Sequence, residues 1–463
     1  MQKPSEKFVI ARKSASTNPL KMSPPLGAAM AYLGLDGCLP LFHGSQGCTA
    51  FALVLLVRHF KEAIPFQTTA MNEVTTILGG MDNVEQAVLN IHKRARPKVI
   101  GICSTGLTET RGEDTFADVR TIQAKHAEAL GDTQLVFAAT PDFAGGVQEG
   151  WGKAVSAMID RFVPAGDGTR TLRQINVLAG AHMSPGDVDE LREIIEAFGL
   201  EPIILPDLSG SLDGHVPGRH VGTTYGGTTI ADMGRMHRSA CTLAIGEHMR
   251  ISGERLEART GVPTRFIDGL TGLEAVDRLV VTLAEISGKP VPKRLRRQRS
   301  QLVDSMLDGH FHFGGKRIAI AAEPDLLWAL GPIFTGMGAE LSTVVTTMPA
   351  PHLEALDCAK VIVGDLGDLE TGAAETGADL LVTHSHGRQA SERLGLPLFR
   401  VGFPQFDRIG AAHQTLLGYR GTRALVCDLA NTFIDHAHHA SPADWAGAGS
   451  GEGSHGGSQA AAG

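Results

Sequence analysis

The sequence has 463 residues and a formal net charge of −8 at pH 7, with 43% hydrophobic and 20% charged residues. This length is enough for about three domains, and the composition is that of a folded protein rather than a disordered one. The negative charge argues against a nucleic-acid partner, and neither a signal peptide nor an apolar run of the roughly 18 residues that cross a membrane is present, so we expect a cytoplasmic protein that binds neither nucleic acid nor membrane.

The first informative stretch places Cys48 at the start of a predicted helix. An apolar strand leads into the turn His-Gly-Ser-Gln-Gly at 43–47, and the apolar run 51–57 predicts a buried helix. A helix N-terminus stabilises negative charge and therefore suits an anionic iron–sulfur or metal centre. Gly44 and Gly47 leave the backbone bare, as a bulky cofactor requires. The alternative is that Cys48 is a buried core thiol and that the glycines only form the turn.

Apolar strands alternate with amphipathic helices along the rest of the chain, which is the pattern of parallel α/β units. The sequence predicts strands at 98–103, 134–139, 174–179, 203–205, 317–322, 341–346, 360–363, 379–382 and 398–401. Between them, Asp82 is predicted to cap one helix. Ser184 is predicted to cap another, with Pro185 at its first position and Gly199 at its end.

Loops rich in glycine, proline and charge at 164–173 and 287–300 divide this pattern into three. We therefore predict an α/β protein of three Rossmann-like domains with parallel sheets. Their ranges are 1–168, which carries Cys48, 169–297 and 298–440, followed by a disordered tail at 441–463.

Three further features leave two interpretations open. The polar loop 206–215 follows a predicted strand. It either binds a ligand, as α/β sheets do at the ends of their strands, or is a plain surface loop. The basic run 293–299 meets an acidic partner, or it is the solvated face of a helix. His384 and His386 have the spacing of metal ligands, but the sequence places no carboxylate or thiol beside them.

The six cysteines, at 38, 48, 103, 241, 358 and 427, contain no pair with metal-binding spacing. Iron–sulfur clusters usually take four thiolates. A cluster at Cys48 must therefore take its other ligands from distant residues or from another chain. The chain also lacks the phosphate-binding loop GxxxxGK[ST], so it is not expected to hydrolyse ATP in that way.

Several motifs resemble the nitrogenase component 1 family, in particular the β subunit of the molybdenum–iron protein and its paralogues. They are Asn-Pro-Leu-Lys at 18–21, Pro-Pro-Leu-Gly-Ala at 24–28, His-Gly-Ser-Gln-Gly-Cys at 43–48, Thr-Pro-Asp-Phe-Ala-Gly at 140–145 and His-Ser-His-Gly at 384–387. In that β subunit three cysteines bind the P-cluster, and the matching positions here hold Ser23, Cys48 and Gly106. With one cysteine of three, the chain resembles the cofactor-assembly branch of the family rather than the catalytic subunit.

The resemblance implies a non-catalytic scaffold for maturation of the nitrogenase iron–molybdenum cofactor. It implies an α2β2 heterotetramer with a NifE-type α-like subunit. Cys48 would be this chain's single ligand to a [4Fe–4S] cluster at the subunit interface, with three ligands from the partner and electrons from the nitrogenase iron protein. The iron–molybdenum cofactor precursor would be held transiently, mostly by the partner, so no catalytic residue is expected here.

Two other classes remain open at this point. One is a β-type catalytic or electron-relay subunit of a nitrogenase or of a light-independent protochlorophyllide-type reductase. The other is an ordinary small-molecule enzyme of Rossmann-like build in which Cys48 is merely buried. Reduction of dinitrogen or a pigment without cofactor assembly would favour the first class, and full activity of iron-free protein would favour the second.

Overall fold

The computed structural model describes residues 6–11, 13, 16, 18–72, 80–109, 115–212, 214, 218 and 221–439. The predicted disordered tail and two residues of the polar loop, Asp213 and His215, lie outside these residues.

The described residues form fourteen strands, and all of them pair in parallel. In chain order they are β1 (Phe8–Ile10), β2 (Cys38–His43), β3 (Gln67–Thr68), β4 (Val99–Ser104), β5 (Gln134–Ala138), β6 (Gln174–Leu178), β7 (Glu201–Leu205), β8 (Thr242–Ile245), β9 (Thr264–Ile267), β10 (Arg317–Ala322), β11 (Glu340–Thr346), β12 (Val361–Val363), β13 (Leu380–Thr383) and β14 (Leu398–Arg400). Each strand predicted from the sequence lies within two residues of one of these, whereas β1, β3, β8 and β9 were not predicted.

The strands make three sheets. The first sheet has the order β3-β2-β4-β5, the second β7-β6-β8-β9, and the third β1-β12-β11-β10-β13-β14. The predicted architecture of three parallel α/β units is therefore confirmed. The N-terminal strand β1 pairs with β12, so the start of the chain contributes to the third sheet before the chain enters the first.

Helices cover the faces of the sheets. In chain order they are α1 (Pro24–Leu33), α2 (Gln46–Phe60), α3 (Met81–Ala95), α4 (Gly106–Glu109), α5 (Thr115–Lys125), α6 (Ala127–Leu130), α7 (Val147–Phe162), α8 (Pro185–Ala197), α9 (Leu208–Ser211), α10 (Ile230–Arg235), α11 (Arg250–Thr260), α12 (Leu273–Ser287), α13 (Lys293–Phe313), α14 (Pro324–Gly336), α15 (Leu366–Thr376), α16 (Arg388–Leu394) and α17 (Gly418–His439). Among the described helices, none has both the length and the apolar character required to span a membrane.

Two helix starts test the capping predictions. Ser184 caps α8 as predicted, because its Oγ accepts the Asp187 N–H at 2.9 Å and the Asp187 carboxylate accepts the Ser184 N–H at 3.0 Å. Asp82 is not the cap of α3, because that helix begins one residue earlier, after Gly80. Asp82 instead lies in the first turn, where a negative charge still favours the helix dipole.

The basic run 293–299 forms the first turns of α13, a single helix of 21 residues. Two of its four arginines make ion pairs within the chain: Arg294 with Glu193, and Arg299 with Asp277 at 2.8 Å. These contacts favour the interpretation of the run as a solvated helix face.

Candidate functional site

Cys48 lies on the surface, in the first turn of α2, and is exposed. The interpretation of Cys48 as a buried core thiol is therefore wrong. The prediction that α2 is buried is half correct: Leu55 and Leu56 pack in the core, whereas Phe51 is 65% and Val54 is 51% exposed. The run 51–57 is apolar on every side, so its sequence did not reveal which side faces solvent.

The turn before Cys48 is held by buried hydrogen bonds to two neighbouring segments. The Gly44 N–H donates to Thr69 Oγ1 at 3.1 Å, and the same hydroxyl lies 3.1 Å from His43 Nδ1. Thr105 Oγ1 donates to the His43 carbonyl at 3.0 Å. A Cβ atom on Gly44 would lie 2.5 Å from Thr105 Oγ1, so close packing within the chain requires this glycine.

Gly47 differs from Gly44 because the chain itself does not require it. A Cβ atom on Gly47 would find only Ser45 Oγ, at 4.0 Å, among the described residues. Ser45 Oγ also lies 3.4 Å from Cys48 Sγ. The missing side chain at Gly47 therefore leaves open space at the residue next to the one that carries the exposed thiol.

The C-terminal end of α2 is fixed to the segment that follows β14. His59 Nδ1 accepts the Gln405 N–H at 2.9 Å, and burial lowers the pKa of His59 to about 4, which keeps the ring neutral. Arg58 places its guanidinium 4.2 Å above the ring of Phe406. Helix α2, and with it Cys48, is thus held against both the first and the third sheets.

Cys48 borders a cavity of about 600 Å³ between the N-terminal segment, α2 and the residues after β13. Ser23 and Thr105 line the same cavity. Two of the three positions that the resemblance matches to P-cluster ligands, Ser23 and Cys48, therefore lie together, and Thr105 is the neighbour of the third, Gly106. Lys21 and Arg388 also line it, against the single carboxylate of Asp142, so the charge of the lining is positive on balance and suits an anionic group.

The cysteine set fits a single ligand from this chain. All six cysteines lie within the described residues, and of these Cys48 alone lines the cavity. Cys38 and Cys103 are buried in adjacent strands of the first sheet, where burial raises the pKa of both thiols. Cys241 is also buried, and burial raises its pKa to about 11. A four-thiolate cluster at Cys48 would therefore need ligands from a second chain.

Among the described residues, no third potential metal ligand joins the His-x-His pair after β13. The rings of His384 and His386 lie 5.1 Å apart, and burial lowers the pKa of His384 to about 3. Among the described residues, three potential ligands converge elsewhere, at His182, His248 and Asp325. Sequence analysis missed this second group because its members are far apart in the chain.

Glu323, which immediately precedes α14, is a half-buried acid at the end of β10. Burial raises its pKa to about 8, although the Thr347 hydroxyl donates to it at 2.7 Å. Between about pH 5 and pH 8 the native chain therefore retains a proton that the unfolded chain has released. Stability should fall as the pH rises through this window.

We expect Glu323→Gln to remove most of this pH dependence, since the amide has the same shape but no charge. The free energy of unfolding of the variant, measured by urea denaturation, should exceed that of the wild type by a few kcal/mol at about pH 8 and match it near pH 5. Glu340→Gln, an exposed glutamate at the start of β11, serves as control and should follow the wild type. Parallel pH profiles for all three proteins would contradict the assignment.

The fold and the turn that carries Cys48 define a family. The family described as Nitrogenase component 1 type Oxidoreductase matches residues 23–434, and the chain belongs to it. Curated relatives are nitrogenase iron-molybdenum cofactor biosynthesis proteins NifN. The chain is 56% identical to that of Mesorhizobium japonicum over 431 residues, covering 93% of each chain, and 52% identical to that of Rhodobacter capsulatus, covering 94% and 95%. To the Klebsiella pneumoniae protein it is 39% identical, covering 92% and 93%.

Solved structures agree with this assignment. A chain described as Nitrogenase Cp1 at pH 6.5 superposes with a TM-score of 0.88 at 30% identity, covering 95% of this chain and 98% of that one. A chain described as Nitrogenase Cp1 at pH 5 superposes with a TM-score of 0.68 at 13% identity, which supports the fold alone. The resemblance to the component 1 family and to its cofactor-assembly branch is confirmed.

Proposed function

We propose that this chain is a scaffold subunit for biosynthesis of the nitrogenase iron–molybdenum cofactor, and that Cys48 is its one ligand to a [4Fe–4S] cluster shared with a NifE-type α-like partner. The observation that carries the proposal is the exposed Cys48 thiol beside the open space at Gly47. The names and high identity of the curated relatives support the assembly role.

The exposed face of α2 supports a partner at this place. Phe51, Val54 and Val57 follow Cys48 at intervals of three residues and are all exposed, so they form one apolar stripe that continues from the thiol. A contiguous apolar surface of this kind is typical of a protein interface. A partner that covered the stripe would bring its own ligands next to Cys48, in an α2β2 heterotetramer.

The chain's own residues would bind and orient rather than catalyse. Cys48 would hold one iron, the hydrogen-bonded turn at 43–47 would fix its direction, and Lys21 and Arg388 would balance negative charge. A [4Fe–4S] cluster, when bound, supplies one-electron transfer, here from the nitrogenase iron protein. The cofactor precursor is the cargo, held mostly by the partner.

The proposal also includes three domains and a location in the cytoplasm. Domains at 1–168, 169–297 and 298–440 are supported by the three sheets, with β1 as a strand that crosses to the third. Six free cysteines support a reducing compartment, the cytoplasm.

Of the two alternative functions, the small-molecule enzyme assumed that Cys48 was buried, and this is wrong. The catalytic β-type subunit is disfavoured by Ser23 and Gly106.

The test is the iron content and electron paramagnetic resonance spectrum of the complex purified anaerobically with its α-like partner. We expect Cys48→Ala to lose or alter the [4Fe–4S] signal while the heterotetramer persists, because one of four ligands is removed. Cys427→Ala, which removes an exposed thiol on α17, should leave iron and spectrum unchanged.

The assembly role is tested separately by mixing each complex with cofactor-free nitrogenase and measuring recovered dinitrogen reduction. Recovery with wild type and Cys427→Ala, but not with Cys48→Ala, is expected. An unchanged spectrum in Cys48→Ala would place the cluster elsewhere. Reduction of dinitrogen or protochlorophyllide by the complex alone, without cofactor transfer, would favour a catalytic subunit.

A further inference from the structure

Strand β5 is an outer strand of the first sheet, and its open edge faces a cavity separate from the one at Cys48. The sheet order β3-β2-β4-β5 leaves one side of β5 without a neighbouring strand. A cavity of about 970 Å³ lies along this strand, and residues 135–139 line it. An uncovered strand edge presents backbone N–H and C=O groups that can pair with another chain. These groups are available to a ligand wherever the chain does not pair them itself.

The hydrogen bonds of β5 show which of its backbone groups point outward. The Gln134 N–H donates to the carbonyl of Lys98, next to β4, at 2.9 Å, so this residue faces the neighbouring strand. Successive residues of a strand point their backbone groups alternately to its two sides. The N–H and C=O groups of Leu135, Phe137 and Ala139 therefore point away from β4, along the open edge.

The side chain of Gln123, on α5, already occupies the first position along this edge. Its Nε2 donates to the Thr133 carbonyl at 3.1 Å, and its Oε1 accepts the Leu135 N–H at 2.8 Å. One amide group thus makes the two bonds that a residue of a neighbouring parallel strand would make. Beyond it, the Leu135 carbonyl, both backbone groups of Phe137 and the Ala139 N–H have no hydrogen-bond partner among the described residues.

Helices α5 and α7 form two walls above the open edge, because they pack on opposite faces of the first sheet. Val119 on α5 shares a core cluster with Leu135, whereas Val155 on α7 shares another with Val136. Phe116, on the α5 wall, lines the cavity and is 56% exposed. Successive side chains of a strand point to opposite faces. A strand added beside β5 would therefore direct alternate side chains to the two walls.

The unpaired charge of this groove is positive. Arg120 on α5 and Lys153 on α7 line it, are exposed, and make no ion pair with a described residue. The acidic side chains of the lining are engaged within the chain: Asp160 with Arg255 at 2.5 Å, Glu247 with Arg250 at 2.5 Å, and Glu149 with the Gly146 N–H at 2.7 Å. The groove therefore favours a ligand with acidic side chains.

We propose that this groove binds an extended segment of a partner protein, in which acidic and apolar residues alternate, as an added strand beside β5. Backbone hydrogen bonds to the open edge would supply affinity. Apolar side chains would contact Phe116 on the α5 wall, and carboxylates would pair with Lys153 on the α7 wall. The groove shares no lining residue with the Cys48 cavity, so the proposal is independent of the function proposed for that cysteine.

The probe is a fluorescent peptide of alternating valine and aspartate, about nine residues long, which is within the usual length of a strand. It is titrated into the full chain carrying Cys48→Ala, and binding is followed by fluorescence anisotropy. We expect saturable binding. The same peptide with lysine in place of aspartate should bind at least about 10-fold more weakly, because its charges repel those of the groove. No saturable binding of the aspartate peptide, or equal affinity for both peptides, would overturn the proposal.

Amide hydrogen exchange tests whether the bound peptide adds a strand. With saturating peptide, the Phe137 and Ala139 N–H groups should exchange at least about 10-fold more slowly, whereas the Leu135 N–H, which Gln123 already binds, should change little. Binding without protection of these two amides would show that the peptide contacts only the walls, which contradicts an added strand. Protection that rises with protein concentration in the absence of peptide would assign the edge to a second copy of the chain and would also contradict the proposal.

Lys153→Glu is the decisive variant, because Lys153 is exposed and unpaired among the described residues, so folding should survive. It should weaken binding of the aspartate peptide by about 10-fold and strengthen binding of the lysine peptide, since an attractive exposed pair becomes a repulsive one. Lys93→Glu, which changes an exposed lysine on α3 outside the groove, is the matched control and should leave both affinities unchanged. Equal effects of the two substitutions would show that net charge alone attracts the peptide, and the proposed site would then be wrong.

Discussion

Replacing Gly47 with leucine should abolish iron binding at Cys48 without destabilising the fold. Apart from its two chain neighbours, a Cβ atom at Gly47 would meet only Ser45 Oγ among the described residues, at 4.0 Å, and the residue is exposed. We therefore expect the unfolding free energy to stay within about 0.5 kcal/mol of the wild type. The leucine would occupy the space beside Cys48 that the proposed cluster and partner need, so iron in the purified complex should fall to background.

Gly44→Ala is the matched control and should behave in the opposite way. Its new Cβ would lie 2.5 Å from Thr105 Oγ1, so the variant should lose about 1–3 kcal/mol of stability. Thermal unfolding of each purified chain and iron analysis of each complex separate the two effects. A Gly47→Leu complex with full iron content and a normal paramagnetic signal would mean that the open side of the turn faces neither cluster nor partner.

The position of Cys48 at a helix start could be predicted because the signals are local. A strand end, a turn with two glycines and an apolar run lie within one short segment, and each has its own physical cause. The exposure of Phe51 and Val54 could not be predicted in this way. A continuous apolar run carries no periodicity, so only the packing of the folded chain reveals which side is left uncovered.

The group at His182, His248 and Asp325 was beyond sequence analysis for a different reason. Each residue follows a strand, but β8, which leads to His248, was not predicted, and the two sheets meet only in the folded chain. One signal was available: Asp325 lies just after a predicted strand end, where ligands of α/β sheets are found. A search of strand ends alone would have found His182 and Asp325 without showing that they are close.

The second large effect is expected where α1 crosses α7. A Cβ atom on Gly27 would overlap the carbonyl oxygen of Val147, and one on Gly150 would overlap the carbonyl oxygen of Pro24. Neither glycine has a positive φ, so close approach of the two backbones, not turn geometry, requires them. Every residue of α1 is buried, which leaves the helix no free direction in which to move.

Gly150→Ala should therefore destabilise the chain by about 3 kcal/mol, at the upper end for an overpacked core, because backbone rather than a flexible side chain must shift. Gly234→Ala is the control: Gly234 is in α10, has open space around it, and should gain about 0.5–1 kcal/mol from helix propensity. Urea midpoints of the three proteins measure the difference.

The crossing also bears on the candidate site, because α1 begins at Pro24, immediately after Ser23 in the wall of the Cys48 cavity. If Gly150→Ala displaces the start of α1, the complex should lose iron at temperatures where the variant is still folded. Because Cys48 lies on α2 and is unchanged in this variant, loss of iron would show that iron binding depends on the wall of the cavity as well as on the cysteine. Equal urea midpoints for Gly150→Ala and Gly234→Ala would show instead that the two helices can separate freely, and the wall of the cavity would then not depend on their contact.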